Sequence, residues 1–348
     1  MKVERLMDRQ HENYAGSLRG SAHRLALAAL FCLFAAIIAL LPQPKAYAQA
    51  WPSRPIRMVV PLPPGGAVDT VARVTAAGLS ERLGVPILID NRGGASGTIG
   101  VMEAVRSQAD GHTLLFASAD TLVILPQVRK SLPFDTARDL TAIAKVSDVY
   151  LIFAANPKFP AQTMKELLEL AKAKPGEIGV ASAGNGTLHH ITIEYLNGQA
   201  GVKLGHVPYS GGGPAAAAVI GGHVPVLISG LNVFKAIQAG QLRGLAVAKE
   251  TRSALLPAIP TLEEVGYKGM VSSSWFGVFG PAGLPAAIAS RINKELLAVA
   301  SAPKFQQQMA ALGADAGPLG QDEFVAFIAN DARRWRQVVE TARIKIDE

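Results

Sequence analysis

Two Gly-rich segments with the same spacing are the first candidates for chemistry. The pattern V-P-x-x-x-G-G occurs at residues 60–66 and again at 207–213. Each copy follows a β-branched run and precedes a segment with helical periodicity. Backbone N–H groups at such a turn, together with the positive end of the helix dipole, attract an anion. The alternative is that each Gly pair only closes a tight turn.

Two further loops have small, hydrogen-bonding side chains. They are Ala117–Thr121 and Ala183–Thr187, and each follows a predicted strand. Thr187 is placed to cap the helix that follows it. Ligands in open α/β sheets collect at the carboxyl ends of strands, so all four loops are candidates for one binding site. Helix capping alone is the competing explanation for these two loops.

Motifs of several enzyme classes are absent from the sequence. It contains no G-x-S-x-G, no G-x-x-x-x-G-K-[ST] and no H-E-x-x-H. His189 and His190 are adjacent, so on a helix they point about 100° apart and do not form a zinc pair. We therefore expect no metal and no cofactor, with His190 lining or supporting the neighbouring loop. The rival hypothesis is an exported hydrolase or isomerase that uses Ser118 or Ser182 with His190.

The first fifty residues have the layout of a secretory signal peptide. A basic start precedes the apolar run 25–41, and A-x-A sites allow cleavage after Ala48 or Ala50. The alternative is an uncleaved membrane anchor, although seventeen apolar residues are at the short limit for spanning a bilayer. The only cysteine, Cys32, lies within this leader, so we expect the exported protein to have no disulfide and no thiol chemistry.

Composition excludes other classes of protein. Hydrophobic residues make up 49% and charged residues 18%, which excludes intrinsic disorder. The net charge is +7, and it becomes +4 without the leader, which carries six basic and three acidic residues. So small a surplus does not indicate a nucleic-acid partner.

The remaining chain alternates predicted strands and helices. This alternation predicts an α/β fold with mostly parallel sheets in two lobes separated by a cleft; an eight-stranded barrel is the alternative. T-x-x-E capping boxes at 163–166 and 261–264 predict two helix starts, and 93–100 is predicted to be a Gly-rich loop. The predicted strands are 57–61, 85–90, 113–117, 178–182, 203–207, 224–229 and 242–248. The last predicted helices are 285–300, 303–312 and 321–344.

Five segments of the chain carry a resemblance to a known family. In order, they are WPSRPIRMVVPLPPGGAVDTVAR, DNRGGASGTIG, ASAGNGTLHH, HVPYSGGGPA and SSWFGVFGPAGLP. With them, residues 51–348 resemble tripartite tricarboxylate transporter receptors, the Bug family of periplasmic solute-binding proteins. The resemblance implies a two-lobe periplasmic-binding-protein fold of the Venus flytrap type II class, with hinge crossovers near 150 and 272. One lobe would be 51–150 plus 272–348, and the other 151–271.

The resemblance also implies which residues contact a ligand. The family holds small carboxylates through backbone amides, hydroxyls and ordered waters instead of an arginine. By family position, the ligand-binding residues are Leu62, Gly66, Ala67 and Asp69 in the first loop, Ser118, Asp120 and Thr121 in the second, Ala183, Asn185, Gly186, Thr187 and His190 in the third, Tyr209 and Gly211 in the fourth, and Ser229.

This sequence departs from the family pattern at two places. Asp120 stands where the family commonly has Gly. As a free anion it would repel a dicarboxylate and favour a ligand with an amine, whereas as a helix cap it would not affect the ligand. Ser229-Gly230-Leu231 replaces an acidic stretch. Asp69 is expected to cap its helix and fix its loop as much as to contact a ligand.

The function implied by the resemblance is periplasmic capture of a small carboxylate by a monomer and its delivery to the membrane subunits of a transporter. A subunit that presents the ligand to a membrane sensor is the alternative, since both roles need the same closure. The sequence leaves the ligand open among mono-, di- and tricarboxylates, aromatic acids and amino acids.

Overall fold

The computed structural model describes residues 51–129 and 131–341. The predicted leader therefore lies outside the described residues. None of the helices in the described ranges combines the length and apolar character needed to cross a bilayer.

Eleven strands form two sheets within these residues. They are β1 (Ile56–Val60), β2 (Ile87–Asn91), β3 (Thr113–Ser118), β4 (Leu140–Tyr150), β5 (Ile152–Ala155), β6 (Gly179–Ser182), β7 (Gly205–Pro208), β8 (Val226–Ser229), β9 (Arg243–Val247), β10 (Ser273–Pro281) and β11 (Asp315–Leu319). The first sheet has the order β11-β4-β10-β3-β1-β2, and the second has the order β7-β6-β8-β5-β9.

Helices connect most of these strands. They are α1 (Ala67–Leu83), α2 (Thr98–Val105), α3 (Leu125–Val128), α4 (Thr136–Asp139), α5 (Met164–Ala173), α6 (Leu188–Ala200), α7 (Gly212–Ile220), α8 (Leu231–Gln238), α9 (Ala286–Ala300), α10 (Pro303–Leu312) and α11 (Gln321–Thr341). A π-helical turn, Asp120–Ile124, joins β3 to α3.

The α/β architecture is as predicted, but the sheets are mixed rather than mostly parallel. Strand β1 runs parallel to β2 and β3, and β6 runs parallel to β7 and β8. The other pairings, β10 with β3 and β4, β11 with β4, and β5 with β8 and β9, are antiparallel. All of them involve the four strands that the periodicity did not predict. In β4, for example, Lys145 and Asp148 interrupt the apolar run, yet both are buried because they pair with each other.

The chain passes between the sheets at one backbone junction. Strand β4 ends at Tyr150 in the first sheet, and β5 begins at Ile152 in the second. Leu151 N–H donates to the Ser272 carbonyl (3.0 Å), Ser272 N–H to the Ala248 carbonyl (2.9 Å), and Ala248 N–H to the Leu151 carbonyl (2.8 Å). The outgoing and returning segments therefore hold each other where they cross. Strands of the first sheet lie at 56–150 and 273–319, and those of the second at 152–247.

The C-terminal helix packs its aromatic residues against the first sheet. The Trp275 ring on β10 meets Phe324 of α11 edge-on at 5.2 Å, and its indole N–H donates to Asp331 (2.8 Å). Trp335 is also buried. These contacts attach α11 to β10, and so to the sheet that also contains β1, β2 and β3.

Two local predictions were wrong. At Thr261 both hydrogen bonds of the capping box form with Glu264, but the chain makes only a turn there. The predicted loop at 93–100 ends early, because α2 already begins at Thr98. At Thr163 the box does begin a helix, since its hydroxyl accepts from the Glu166 N–H (3.2 Å).

Close packing of Gly100 gives a prediction about stability. A Cβ at this position in α2 would lie 2.5 Å from Pro61 Cα and 2.6 Å from the Arg92 carbonyl oxygen, and both are backbone atoms. We expect Gly100→Ala to lower the free energy of unfolding by about 1–3 kcal/mol through overpacking. Urea denaturation measures the change.

A matched control is Gly198→Ala on the exposed face of α6, where a Cβ meets nothing within 4 Å. It should raise the free energy of unfolding by about 0.5–1 kcal/mol, because Ala is the better helix former. Equal stabilities of the Gly100→Ala variant and the unmodified protein would contradict the close approach.

Candidate functional site

The carboxylate of Asp69 fixes the loop after β1 by hydrogen bonds. Asp69, in the first turn of α1, is 3% exposed. It accepts hydrogen bonds from the Gly65 N–H (2.9 Å), the Arg73 Nε (3.0 Å) and the Asn91 Nδ2 (3.0 Å). Asn91 also donates to the Leu62 carbonyl (3.1 Å). Asp69 therefore fixes the loop, in agreement with the supporting role predicted for it.

The protonation state of Asp69 follows from these partners. Burial alone would raise the pKa of its carboxyl group, but the hydrogen bonds from Arg73, Gly65 and Asn91 outweigh burial and hold the pKa below its usual value. Arg73 lies four residues after Asp69 on the same helix, so its role was detectable in the sequence as an i, i+4 pair. Asn91 was not detectable, because only the parallel pairing of β1 and β2 brings it close.

The N-terminus of α1 presents backbone groups without a side-chain cap. Gly66 is the exposed N-cap residue, and Ala67 is the first residue of the helix. The first N–H groups of a helix have no partner inside it. Gly66 and Ala67 therefore lie where amides are available to an anion.

The loops after β1, β2 and β3 meet at Gly97. A Cβ on this residue would lie 2.9 Å from the Thr121 Cγ2 and 3.4 Å from the Pro61 carbonyl oxygen. Thr121 is buried. Ser118, at the end of β3, is also buried, and its hydroxyl makes no hydrogen bond within the residues described. Ser118 thus has a polar group without a described protein partner.

Asp120 joins the two sheets. One carboxylate oxygen accepts from the N–H of Leu188, the first residue of α6 (3.1 Å), and the other accepts from the Ser274 hydroxyl on β10 (2.6 Å). Asp120 therefore has the helix-capping role that the sequence left open, but the helix follows a strand of the other sheet. Both of its donors are neutral, so capping this helix does not exclude an effect of the carboxylate on a ligand. The hydrogen bond from Leu188 brings the loop after β3 to the loop after β6.

The loops after β6 and β7 lie against each other. Gly184 has φ +132°, and a Cβ there would come within 3.1 Å of the Tyr209 carbonyl oxygen. Tyr209 N–H donates to the Ser182 carbonyl (3.1 Å). The Thr187 hydroxyl donates to the Gly184 carbonyl (2.8 Å) and accepts from the His190 N–H (3.5 Å), as predicted for a helix cap. Ala183, Asn185 and Gly186 complete this loop, in which Asn185 is exposed.

Three side chains support the loop after β6. The Ser182 hydroxyl lies 2.5 Å from the His206 Nε2, and the His206 ring stacks on His190 at 3.9 Å with an angle of 8°. The His190 Nδ1 accepts from the Gly186 N–H (3.3 Å). The histidine that contacts the Ser182 hydroxyl is therefore His206. The hydrolase hypothesis required His190 in that position. Ser182 is 0% exposed, and its hydroxyl also accepts from the Gly184 N–H (3.1 Å).

Both stacked histidines are neutral at pH 7. Burial, together with the nearby His190 and His189, lowers the pKa of His206 to about 4. Burial also lowers the pKa of His190, although Glu194 acts in the opposite direction. A neutral His190 is required for its Nδ1 to accept from Gly186. Sequence reasoning missed His206, because β6 and β7 bring it near Ser182 only through their pairing.

The last two predicted residues lie at other strand ends of the second sheet. Gly211, with φ +130°, precedes α7, whose N-terminus has no side-chain cap. Ser229 ends β8 and is buried beside Ile152 of β5. The next residue, Gly230, has room for no side chain, since a Cβ would lie 2.3 Å from the Val149 Cγ1 on β4. Ser229 thus lies beside the junction of the sheets.

The arrangement offers neutral donors to an anion. The predicted site residues include no Lys or Arg, and the guanidinium of Arg73 is already paired with Asp69. Within 51–129 and 131–341, no group of three metal-binding side chains is found. A cavity of about 480 Å³ lies between the later residues of the π-helical turn, residues 132–142 and α11, and none of the predicted site residues lines it.

Comparisons with known proteins agree with this picture. A family model described as tripartite tricarboxylate transporter family receptor matches residues 71–344. Protein BugT of Bordetella pertussis is 36% identical over 301 residues, covering 86% of this chain and 92% of that protein. The structure of R. palustris Rpa4515 with adipate has a TM-score of 0.80 at 29% identity, covering 85% of this chain and 99% of that one. MatC from Rhodopseudomonas palustris, with bound malate, has a TM-score of 0.74 at 27% identity, covering 83% and 100%.

The histidine stack predicts how stability depends on pH. The pKa of His206 is lower in the folded protein than its ordinary value of 6.5, so protonation favours the unfolded chain. The contribution is fully present above about pH 6.5 and is lost as the pH falls towards about 4. We expect the stability difference between the unmodified protein and His206→Gln, measured by urea denaturation, to shrink over this range.

Glutamine keeps a hydrogen-bonding group for Ser182 but does not titrate, so acid effects on carboxylates cancel in the comparison. A difference that stays constant between pH 7 and 4.5 would mean that His206 titrates equally in the folded and unfolded chains.

Proposed function

The chain belongs to the tripartite tricarboxylate transporter receptor family, and from this premise we propose that it captures a small carboxylate between its two sheets and delivers it to a membrane transporter. The family resemblance noted in the sequence is confirmed, and so is the α/β fold class of periplasmic binding proteins. Members of the family are binding receptors rather than enzymes.

The observation that carries the proposal is the hydrogen bond between Asp120 and the Leu188 N–H. It joins a strand-end loop of each sheet, which supports a single binding site shared by the two halves. The adipate and malate in the two related structures support a small carboxylate as the ligand of this chain.

We propose two lobes, 51–150 plus 272–348 and 151–271. The distribution of strands supports this division, since the second sheet takes all of its strands from 152–247. The crossing of Leu151, Ala248 and Ser272 is the proposed hinge, because only short backbone segments connect the lobes there. Closure about such a hinge is the usual response of a two-lobe binding protein to its ligand.

The proposed contacts are backbone amides and hydroxyls at the strand ends. The N-termini of α1 and α7 lack side-chain caps, so Gly66, Ala67 and the residues after Gly211 can donate to one carboxylate. Preformed donors of this kind replace the water shell that the carboxylate loses. Ser118 and Thr121 would supply hydroxyl groups. The predicted leader and the family together support a periplasmic location.

A thermal-shift panel of carboxylates, aromatic acids and amino acids tests the proposal. A ligand at 100 times its Kd adds roughly 2.7 kcal/mol to stability, which raises the unfolding midpoint by several degrees. The ligand should be recovered chemically unchanged. Turnover would favour the hydrolase alternative, and the absence of any shift after the protein is unfolded and refolded to remove retained ligand would contradict carboxylate binding.

Gly66 allows a single donor to be tested. Its φ of −78° suits Pro and Ala, and a Cβ would approach only the Pro63 carbonyl, at 3.8 Å. Gly66→Pro removes the N–H, and Gly66→Ala keeps it. Since a hydrogen bond to a charged group contributes about 1.5–3 kcal/mol, Gly66→Pro should weaken carboxylate binding roughly ten- to hundredfold.

Gly66→Ala should bind nearly as well as the unmodified protein. Titration calorimetry measures both affinities, and the unfolding midpoint without ligand shows that each variant is folded. Equal affinities for the Pro and Ala variants would exclude the Gly66 amide from the site.

A further inference from the structure

The carboxylate of Asp120 occupies a position that would otherwise attract an anion. It accepts from the N–H of Leu188 at the start of α6, where the unpartnered amides and the helix dipole favour negative charge. The chain thus supplies its own anion to this helix. The other carboxylate oxygen accepts from Ser274, which fixes the group in this orientation.

The charge of Asp120 is not cancelled by its partners. Both donors, an amide N–H and a hydroxyl, are neutral. The titratable side chain beside it is His189, whose ring Nδ1 is buried without a hydrogen bond in the described residues. Burial lowers the pKa of His189, and this outweighs the attraction of Asp120, so His189 is uncharged at pH 7.

The N-termini of α1 and α7, which also follow strand-end loops with predicted site residues, differ from that of α6. In α1, the first-turn carboxylate of Asp69 is paired with the guanidinium of Arg73, so its charge is balanced. The first turn of α7 has no acidic residue and no side-chain cap. A ligand carboxylate is therefore favoured at α1 and α7 and disfavoured near α6.

We propose that Asp120 is a specificity-determining residue that restricts the site to ligands with a single carboxylate, whose other end is neutral or cationic. This inference rests on the proposed function and names its ligand class. A second carboxylate directed towards α6 would find the Leu188 amide already occupied and would meet a like charge whose two hydrogen-bond donors are neutral. The unpartnered Ser118 hydroxyl, two residues before Asp120, is a neutral group of the kind that a polar, uncharged ligand end can use.

Pairs of ligands that differ only in the second carboxylate test the proposal. Titration calorimetry with hexanoate and adipate, and with butyrate and succinate, compares equal chain lengths. The unmodified protein should bind each monocarboxylate at least about tenfold more tightly, as expected for like charges at partly screened distances. Asp120→Asn keeps an oxygen for the Leu188 N–H and removes the charge, so it should raise the ratio of dicarboxylate affinity to monocarboxylate affinity roughly ten- to hundredfold.

Ser274→Ala is the matched control, because it removes the second hydrogen bond and leaves the charge. It should retain the preference for monocarboxylates. Salt gives a test that needs no variant: from 20 to 500 mM NaCl, screening should reduce the preference of the unmodified protein and leave that of Asp120→Asn unchanged.

The inference is overturned if the unmodified protein binds adipate as tightly as hexanoate, or if Asp120→Asn folds and keeps the original preference. If neither the unmodified protein nor the variant binds any carboxylate of the panel, the proposed function itself fails, and the inference fails with it. If the protein binds monocarboxylates and dicarboxylates equally well, the proposed function stands and only the role of Asp120 in specificity is excluded.

Discussion

Three backbone hydrogen bonds among Leu151, Ala248 and Ser272 hold the two sheets together, and the positions of the loops at their strand ends depend on these bonds. They tie the segments that cross between the sheets, so the carboxyl-terminal ends of β3 and β6 are brought close to each other. Such bonds need no particular side chain, and N–H groups at a buried crossing must be satisfied in any case. The contact of Asp120 with α6 is possible only because this junction places the loops of one sheet against those of the other.

Asp69 and Asp120, the charged groups near the strand ends, already have partners within the protein. Asp69 is paired with Arg73 and holds the first loop, Asp120 caps a helix of the opposite sheet, and the histidines under the third loop are kept neutral by burial. What is left for a ligand is mainly backbone N–H groups and hydroxyls. Such donors are fixed by the fold, so they lose little freedom when a ligand binds. The proposed site, whose predicted residues include no Lys or Arg, would hold an anion through these neutral donors.

The local pattern of the sequence predicted the strands and helices with clear periodicity, including β1, β3, β6 and α1. It did not predict β4, β5, β10 and β11. Strands β4 and β10 are buried along almost their whole length and so lack an alternating pattern, β5 has only four residues, and β11 contains Gly and Pro. The site was predicted where a Gly-rich turn or a helix cap is local, as at Gly66 and Thr187. Asn91, His206 and Ser274 could not be predicted, since only strand pairing brings them to the loops.

The residues that made β4 hard to predict also make it rigid. Lys145 and Asp148 are buried and paired, and a Cβ at Gly317 of the neighbouring β11 would lie within 3.0 Å of the Lys145 Nζ. Burial raises the pKa of Asp148, although Lys145 opposes this effect. Separating the pair would leave an uncompensated buried charge, which costs several kcal/mol, on the order of 3–5. Strand β4 therefore resists deformation up to the residues that precede Leu151. The proposed hinge motion would then be confined to the crossing itself, where a small rotation would move the strand-end loops together without disturbing either sheet.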